Sequence, residues 1–430
     1  MGKMELKEAP SMCRILVPLR SNRAQRIQLS SIALYVNDKI SSSDISLEEY
    51  VTTDCILQNK RGREIATNLP PQPCSLIHYK PGDILIANIR PYLKKIWYAD
   101  MEGGASSDVL VFRSKEGHSP EYLYAALLQD AFFDYVMQGT KGSKMPRGDK
   151  EQIMRYEMPT LSTSEESIGK FILDINQKIA LNKSINDNLE ALAKQLYDYW
   201  FVQFDFPNEE GKPYKSSGGK MVWNEELKRE IPDGWKTKKM QDISLIRRGA
   251  SPRPIDEFMD DTHKGMPWLK ISDATINDSP FVVSIKEHSI SRGVSKSVVI
   301  EEGTLVVTNS ATPGLPKFIQ ERCCVHDGWL VLTEYKDEMK FYLYYVLDNM
   351  RKALERMASG SIFKNLRTDY LQNYFVLVPP KELLQRYSEI VGPIMQEALR
   401  ISLENESLIK QRDELLPLLM NGQVSLLNCD

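Results

Sequence analysis

Basic residues gather with glycine and serine in two separate segments of the chain, residues 139–155 (GTKGSKMPRGDKEQIMR) and the region around Gly360-Ser361. Glycine lets a backbone approach a ligand closely, serine adds a hydroxyl group, and the cations can bind phosphates or guanine edges. The two segments are therefore predicted to be DNA-contacting loops, with Lys141, Lys144, Arg147, Ser361, Lys364 and Arg367 as candidate contacts.

Smaller basic clusters lie elsewhere in both halves of the chain. A single cluster of this kind is typical of a solvated surface loop, so its composition alone argues little. The argument for DNA binding is that such clusters recur at comparable places in the two halves. The further candidate contacts are Lys60, Arg61, Arg63, Arg90, Lys94, Arg247, Arg248, Arg253 and Lys317.

Motifs for catalysis are missing from the sequence. The tetrapeptide Asn68-Leu69-Pro70-Pro71 lacks the spacing of an adenine methyltransferase motif, and Gly218-Gly219-Lys220-Met221 lacks the upstream glycine and the hydroxyl residue of a phosphate loop. No nuclease cluster or helicase signature is evident, and the histidines and cysteines have no zinc-binding spacing. The sequence predicts a binding protein with no catalytic residue, no metal and no cofactor.

Composition limits the class of protein further. The 430 residues suffice for two or three domains, and a net charge of −3 gives no global attraction to nucleic acid. Any polyanion site must therefore be local. The six cysteines form no C-x-x-C pair, and no apolar run approaches the roughly 20 residues of a membrane span. A cytoplasmic protein with reduced thiols is expected.

The order of features in the first half repeats in the second half. The strand-like runs KPGDILI and SDVLVF correspond to EEGTLVV and GWLVLT, and each pair is followed by a Tyr-Leu-Tyr helix start, a Gly-Ser pair, an apolar stretch closed by proline, and a long helix. Mixed strands and helices at these spacings predict two similar α/β domains. The predicted fold is two similar α/β domains separated by two long helices, which form an antiparallel coiled coil about a pseudo-twofold axis.

Apolar residues at spacings of three and four give each long helix a seam for coiled-coil pairing. The first seam runs from Ile172 to Trp200 and the second from Val391 to Leu419. Asn186 and Asn405 lie at the two midpoints, and we hypothesise that these amides face one another and set the register. The alternatives are that both amides are solvated and that each helix packs only on its own domain.

With these features in hand, the chain resembles the DNA specificity subunit of type I restriction-modification systems over nearly its whole length. Its most specific pieces are the linker GKPYKSSGGKMVWNEELKREIPDGW, the helix end NLEALAKQLYDYWFVQFD, the strand PGDILIANIRPYL, and SGSIFKNLRTDYLQNYFVLVPP. The first half departs from the family pattern: it lacks an entrance like IPDGW and begins with MELKEAPSMCRILVPLRSNRAQRI.

The resemblance implies that each recognition domain reads one half of a bipartite asymmetric sequence in double-stranded DNA. The paired helices would set the distance between the halves. It also implies two modification subunits that methylate adenine and restriction subunits that translocate and cleave DNA. The two rival functions are a self-contained adenine methyltransferase and a coiled-coil scaffold without a DNA role.

An aromatic cluster ends the first long helix. The resemblance implies that Tyr197, Tyr199, Trp200 and Phe201 anchor a modification subunit, whereas the alternative is that they fill the junction with the second domain. The predicted organisation is a first recognition domain at 1–160, a spacer helix at 161–204, a linker at 205–230, a second recognition domain at 231–380, a second spacer helix at 381–422, and a tail at 423–430.

Overall fold

The computed structural model of the chain describes residues 15–18, 25–140, 144–160, 165–276, 279–357 and 365–427. The chain divides into two compact units. Unit 1 comprises Met1–Leu181 together with Ser407–Asp430, and unit 2 comprises Asn182–Glu406.

Unit 1 is built from short strands and helices around an apolar core. Its strands are β1 (Ile15–Pro18), β2 (Gln25–Gln28), β3 (Ala33–Tyr35), β4 (Lys39–Ser41), β5 (Tyr50–Val51), β6 (Ser75–Tyr79), β7 (Ile84–Ala87), β8 (Ile96–Tyr98), β9 (Gly103–Ala105), β10 (Val109–Ser114) and β11 (Glu157–Thr160). Its short helices are α1 (Leu29–Ile32), α2 (Pro120–Leu127), α3 (Asp130–Gln138) and α4 (Lys150–Met154). The first long helix, α5, spans Glu165–Tyr197, and a π-helical turn follows at Asp198–Val202.

Unit 2 has a comparable set of elements. Its strands are β12 (Met221–Asn224), β13 (Arg229–Pro232), β14 (Lys236–Lys239), β15 (Leu245–Arg248), β16 (Met266–Leu269), β17 (Phe281–Val282), β18 (His288–Ser289), β19 (Val298–Ile300), β20 (Leu305–Thr308), β21 (Pro316–Ile319), β22 (Cys323–Val325), β23 (Trp329–Thr333) and β24 (Phe375–Val378). Its helices are α6 (Ile271–Ala274), α7 (Ser291–Val294), α8 (Lys340–Met357) and α9 (Thr368–Asn373). The second long helix, α10, spans Lys381–Met420, and β25 (Val424–Leu427) pairs antiparallel with β1 in unit 1.

The two units share one sheet topology, which confirms the internal repeat. An antiparallel sheet runs β3-β10-β7-β8 in unit 1 and β15-β23-β20-β21 in unit 2, where β17 extends it. A second sheet has one central strand with an antiparallel and a parallel neighbour, β6-β9-β5 in unit 1 and β19-β22-β16 in unit 2. The runs ILIA and LVVT of β7 and β20 are wholly buried, as expected of central strands.

The repeated Tyr-Leu-Tyr helix start has a structural reason. The hydroxyl of Tyr122 donates to the carbonyl of Pro159 at 2.9 Å, and the hydroxyl of Tyr342 donates to the carbonyl of Leu377. Both tyrosine rings are buried, so each hydroxyl needs an internal partner. In each unit the tyrosine fixes the helix that follows the main sheet to the strand that precedes the long helix.

The two long helices run antiparallel along the predicted seam. Three side-chain contacts define the register, because the partner's number falls as the α5 number rises: Asn176 contacts Arg412, Asn182 contacts Asn405, and Asn186 contacts Ser402. The first contact lies in unit 1 and the other two lie in unit 2. Seam residues of both helices are buried, among them Ile172, Ala193, Val391 and Ala398.

The hypothesis that Asn186 faces Asn405 is wrong by about one helical turn. The Asn405 Oδ1 atom accepts a hydrogen bond from Asn182 at 3.0 Å, and the Asn186 amide donates to the Ser402 hydroxyl at 3.0 Å. The midpoint argument assumed two equivalent helices, but α5 has 33 residues and α10 has 40. Ser402 also offers Asn186 a small buried acceptor, which holds the shifted register.

The pair formed by Asn182 and Asn405 gives a test of register control. We expect Asn405→Leu alone to lower the free energy of unfolding by about 1–3 kcal/mol, because it leaves the buried Asn182 amide without that acceptor. The double variant Asn182→Leu with Asn405→Leu removes both amides. We expect it to melt above the wild type, by about 2–4 °C for each kcal/mol by which it is more stable than the wild type, and to populate more than one register. Thermal unfolding and cysteine cross-linking across the seam measure both effects. A double variant as unstable as the single one would contradict this role.

Candidate nucleic-acid interface

In unit 1, two loops meet beside the end of β7. The chain after β7 forms a bridge between Ile89 and Arg147, and the backbone N–H of Arg90 donates to the carbonyl of Pro146 at 2.8 Å. Arg90 itself has a left-handed backbone with φ of 53°. The basic segment predicted from the sequence is therefore attached to a strand end, which positions its cations on a rigid support.

Unit 2 repeats this loop pairing at the corresponding place. Ser310, after β20, bridges to Asn365, and the backbone N–H of Leu366 donates to the carbonyl of Asn309 at 2.7 Å. Ala311 has a left-handed φ of 59°, as Arg90 has in unit 1. The paired loops are thus a property of the fold of both units and do not depend on a local coincidence of composition.

Two exposed cations of the unit 1 loops have no ionic partner among the residues that the structure describes. These are Arg90 and Lys144, and they lie on two loops that the hydrogen bond between Arg90 and Pro146 joins. Met145 between them is also exposed. An exposed, unpaired cation on a loop is free to bind a phosphate oxygen.

Arg147 differs from these cations because an aspartate holds it. Its Nη2 atom lies 3.2 Å from the Asp108 carboxylate, immediately upstream of β10. Unit 2 has a similar arrangement upstream of β23, where Asp327 lies 3.9 Å from Arg248 and 3.6 Å from Arg253. Sequence reasoning missed both aspartates, although an aspartate just before the corresponding strand of each repeat was a detectable signal.

Asp327 is charged and fixed in place. The hydroxyl of Ser251 donates to its Oδ1 atom at 2.8 Å, and this bond lowers the pKa of the Asp327 carboxyl against the opposing effect of burial, with a further contribution from Arg248. Arg248 is held more firmly than the ion-pair distance suggests, because its Nε–H donates to the Asp327 carbonyl at 2.8 Å. Asp327 and the Arg248 guanidinium therefore form one hydrogen-bonded group.

A groove of about 500 Å³ opens beside this group in unit 2. Its floor includes Asn309, whose side chain is buried, and Arg367 at its edge pairs with Asp369 through two hydrogen bonds of 2.9 and 2.6 Å. Arg247 is exposed on the same strand as Arg248. The groove is lined by Arg248, Asn309, Asn365, Leu366, Arg367, Thr368, Asp369 and Gln372. Such a set of guanidinium, amide and carboxylate groups matches the donors and acceptors of base edges.

His326 supports the base of this groove from inside unit 2. Burial lowers the pKa of His326, although the neighbouring Asp327 acts in the opposite direction. The ring is therefore neutral near pH 7, and its Nδ1 atom accepts a hydrogen bond from the Gly328 N–H at 2.9 Å. The carbonyl of Gly328 in turn accepts from the backbone N–H of Asn309, so the histidine fixes the turn to which Asn309 is hydrogen-bonded.

Four of the predicted DNA contacts form interactions with other residues of the protein. Lys60 is buried and pairs with Asp130 at 2.7 Å and Asp413 at 3.6 Å, and Lys94 pairs with the same Asp130 at 2.9 Å. These two lysines lower the pKa of the Asp130 carboxyl even though burial alone would raise it.

The other two corrections are Arg63 and Lys317. Arg63 lies over the Trp97 ring at 4.4 Å, and Lys317 is 1% exposed and donates to the Ser279 carbonyl. Lys60 and Lys317 were wrong as DNA contacts, because a buried ammonium group cannot reach a phosphate. Arg63 and Lys94 are committed to internal partners.

Four other predicted contacts are Arg61, Lys141, Ser361 and Lys364. Arg61 is half-buried and has an internal partner. Lys141, Ser361 and Lys364 lie outside the described residues.

The aromatic cluster at the end of α5 fills the core of unit 2. Tyr197, Trp200 and Phe201 are almost wholly buried, and Phe201 contacts Tyr342 and Tyr387 with ring centroids 4.8 Å apart in both cases. The assignment of these three residues as partner anchors is therefore wrong, and the alternative of a filled junction with the second domain describes them. Tyr199 is 37% exposed and remains a candidate for partner binding.

In the part of the chain that the structure describes, no group of three or more His, Cys, Asp or Glu side chains could hold a metal ion. No helix in that part is long and apolar enough to cross a membrane.

Comparison with known proteins identifies similar sequences. Residues 232–407 match the type I restriction modification DNA specificity domain. The specificity subunit of the type I restriction enzyme MjaIX of Methanocaldococcus jannaschii is 23% identical over 90% of this chain and 86% of its own length. The corresponding HindI subunit of Haemophilus influenzae is 24% identical over 87% of this chain and 94% of its own length.

Solved structures with a similar fold include a subunit from M. genitalium. The S subunit of a type I restriction-modification system from M. genitalium has a TM-score of 0.57 and 14% identity, over 94% of this chain and 98% of that one. At this identity the likeness concerns the fold, and it agrees with two α/β units and paired long helices.

Proposed function

We propose that this chain, a relative of the type I restriction-modification specificity subunits, reads a bipartite asymmetric DNA sequence with one half-site for each unit. The relationship itself confirms the sequence-based resemblance to these non-catalytic subunits. The observation that supports two half-sites is the repeated loop pairing, Ile89 with Arg147 in unit 1 and Ser310 with Asn365 in unit 2. Two similar supports that carry different side chains suit an asymmetric target.

The paired helices would set the number of base pairs between the half-sites. Each helix contributes residues to both units, since the unit boundaries fall within α5 and α10. The polar contacts along the seam favour one register over its neighbours, because a slipped register would place amides against aliphatic side chains. A fixed register would give a fixed spacer in the DNA target.

Within this proposal, catalysis belongs to partner chains. Two modification subunits would methylate adenine in the sequence that this chain selects, and restriction subunits would join the same complex. Tyr199 is a candidate contact for the modification subunit. Seven candidate DNA contacts remain exposed on the surface that the structure describes: Arg90, Lys144, Arg147, Arg247, Arg248, Arg253 and Arg367.

Genome-wide mapping of methylated adenines tests the proposal. We expect a host with the intact gene to carry one split motif that disappears when the gene is deleted and returns on complementation. A motif without a gap, or a motif that persists after deletion, would overturn the proposal. Methyl transfer to DNA by the purified chain alone would favour a self-contained methyltransferase instead.

A further inference from the structure

We propose that Arg248 is a base-reading residue of unit 2 and that its partner in the DNA is a guanine. The inference rests on the proposed function and adds to it a division of labour among the cations. Exposed cations without an ionic partner among the described residues would hold phosphates, whereas the arginine fixed by an aspartate would read a base.

The first argument is the way Arg248 is held. Its Nε–H donates to the carbonyl of Asp327 at 2.8 Å, so one edge of the guanidinium is anchored to the backbone. The two terminal nitrogens remain as a fork, and the side chain lines the groove. An arginine fork placed on the O6 and N7 atoms of guanine is the commonest specific contact in the major groove.

The second argument is charge. The Asp327 carboxylate lies near both Arg248 and Arg253, and the Ser251 hydroxyl keeps it in place. A neighbouring carboxylate weakens the attraction of an arginine for phosphate, but it leaves the geometry of the N–H donors intact and restricts their movement. Arg248 is therefore expected to attract DNA phosphates less strongly, whatever the sequence, and to keep its directional hydrogen-bond donors.

The third argument is position. Arg248 is the last residue of β15, which pairs with β23 in the register Arg248 to Leu330, so the side chain projects from a sheet and not from a free loop. Unit 1 also has an aspartate upstream of the corresponding strand, Asp108, and it pairs with Arg147, which lies on the loop bridged to Ile89 and not at a strand end. An aspartate that restrains an exposed arginine beside the paired loops is therefore present in both units.

Arg400, which lies on α10 in unit 2 and outside the groove, provides the contrast. Its Nε and Nη2 atoms donate to the carboxylate of Glu397 at 2.9 and 2.7 Å, so its bidentate edge is already occupied. Arg400→Lys is therefore the matched control for Arg248→Lys. Each change keeps the charge and removes the planar fork, which lysine cannot replace at a bidentate site.

A host that lacks the gene is complemented with the wild type, Arg248→Lys, Arg248→Gln or Arg400→Lys, and the methylated motif is mapped in each. With Arg248→Lys we expect one guanine position of one half-site to relax by about 5- to 150-fold in discrimination, while the other half-site stays unchanged. Arg248→Gln is expected to shift that position towards adenine, because glutamine pairs with adenine edges. Arg400→Lys should leave the motif intact.

The outcomes separate this inference from the proposed function. If the wild type gives no split motif, the proposed function fails. If the wild type gives one and both Arg248 variants keep every position, or weaken all sequences equally, only the assignment of Arg248 to a base fails. Thermal unfolding of the purified variants identifies any loss of the fold, and the second substitution at the same position keeps the test decisive.

Discussion

Replacing Arg90 and Lys144 with glutamate is expected to weaken the affinity of the full chain for random-sequence duplex DNA by about 100-fold at moderate salt. Both side chains are exposed on the paired loops of unit 1, and neither has an ionic partner among the described residues. Each phosphate contact contributes about 0.9 to the slope of log affinity against log salt concentration, so the slope should fall by about 2. Fluorescence anisotropy titrations over a range of KCl concentrations measure both quantities.

The matched control makes the same change in charge elsewhere. Lys212 and Lys228 are exposed, and each already pairs with a glutamate, Glu210 and Glu225. The double variant Lys212→Glu with Lys228→Glu should keep the wild-type slope. If the two double variants lose affinity equally, the effect is one of net charge, and the unit 1 loops have no special part in DNA binding.

The repeated fold could be predicted from the sequence because its signals are local. The runs KPGDILI and EEGTLVV alternate between turn residues and apolar residues, and they became the central strands β7 and β20. The seam spacing predicted the pairing of the long helices for the same reason. These features depend on the period of apolar residues, which one sequence displays directly.

The functions of individual cations could not be predicted in this way. Lys60 and Lys144 both lie beside glycine and other basic residues, yet one is buried between Asp130 and Asp413 and the other is exposed. The difference is set by carboxylates that are distant in sequence and adjacent only in the fold. The register of the seam failed for a related reason, because Ser402 competes with Asn405 for the Asn186 amide.

We expect truncation of Arg412 to destabilise unit 1 more than truncation of any other polar residue in that unit. Its side chain is 2% exposed, and its terminal nitrogen donates to Asn176 Oδ1 at 2.8 Å and to the Lys60 carbonyl at 3.5 Å. Its Nε–H donates to Asp413 at 2.9 Å, and Asp413 in turn pairs with Lys60. Arg412 therefore connects α10, α5 and the loop of Lys60 within unit 1.

We expect Arg412→Ala to reduce the free energy of unfolding of unit 1 by about 3–5 kcal/mol. The change removes a buried guanidinium that pairs with the exposed Asp413, leaves Asn176 Oδ1 without this donor, and opens a cavity where the arginine stem packed. Urea denaturation, followed by a probe placed in unit 1, measures the effect. Lys410→Ala on the same helix and in the same unit is the control, because the Lys410 side chain is exposed and its loss should cost less than about 0.5 kcal/mol.

A double variant separates the polar contact from simple packing. Arg412→Met together with Asn176→Leu fills the space with apolar atoms and removes the stranded amide, so it should recover much of the stability lost in Arg412→Ala. A loss below about 1 kcal/mol in Arg412→Ala would show that the network is dispensable. If the network is needed, then the seam has a polar anchor in each unit, Arg412 with Asn176 in unit 1 and Asn182 with Asn405 in unit 2. One register would then be selected at two places along the same pair of helices, which is what a spacer of fixed length requires.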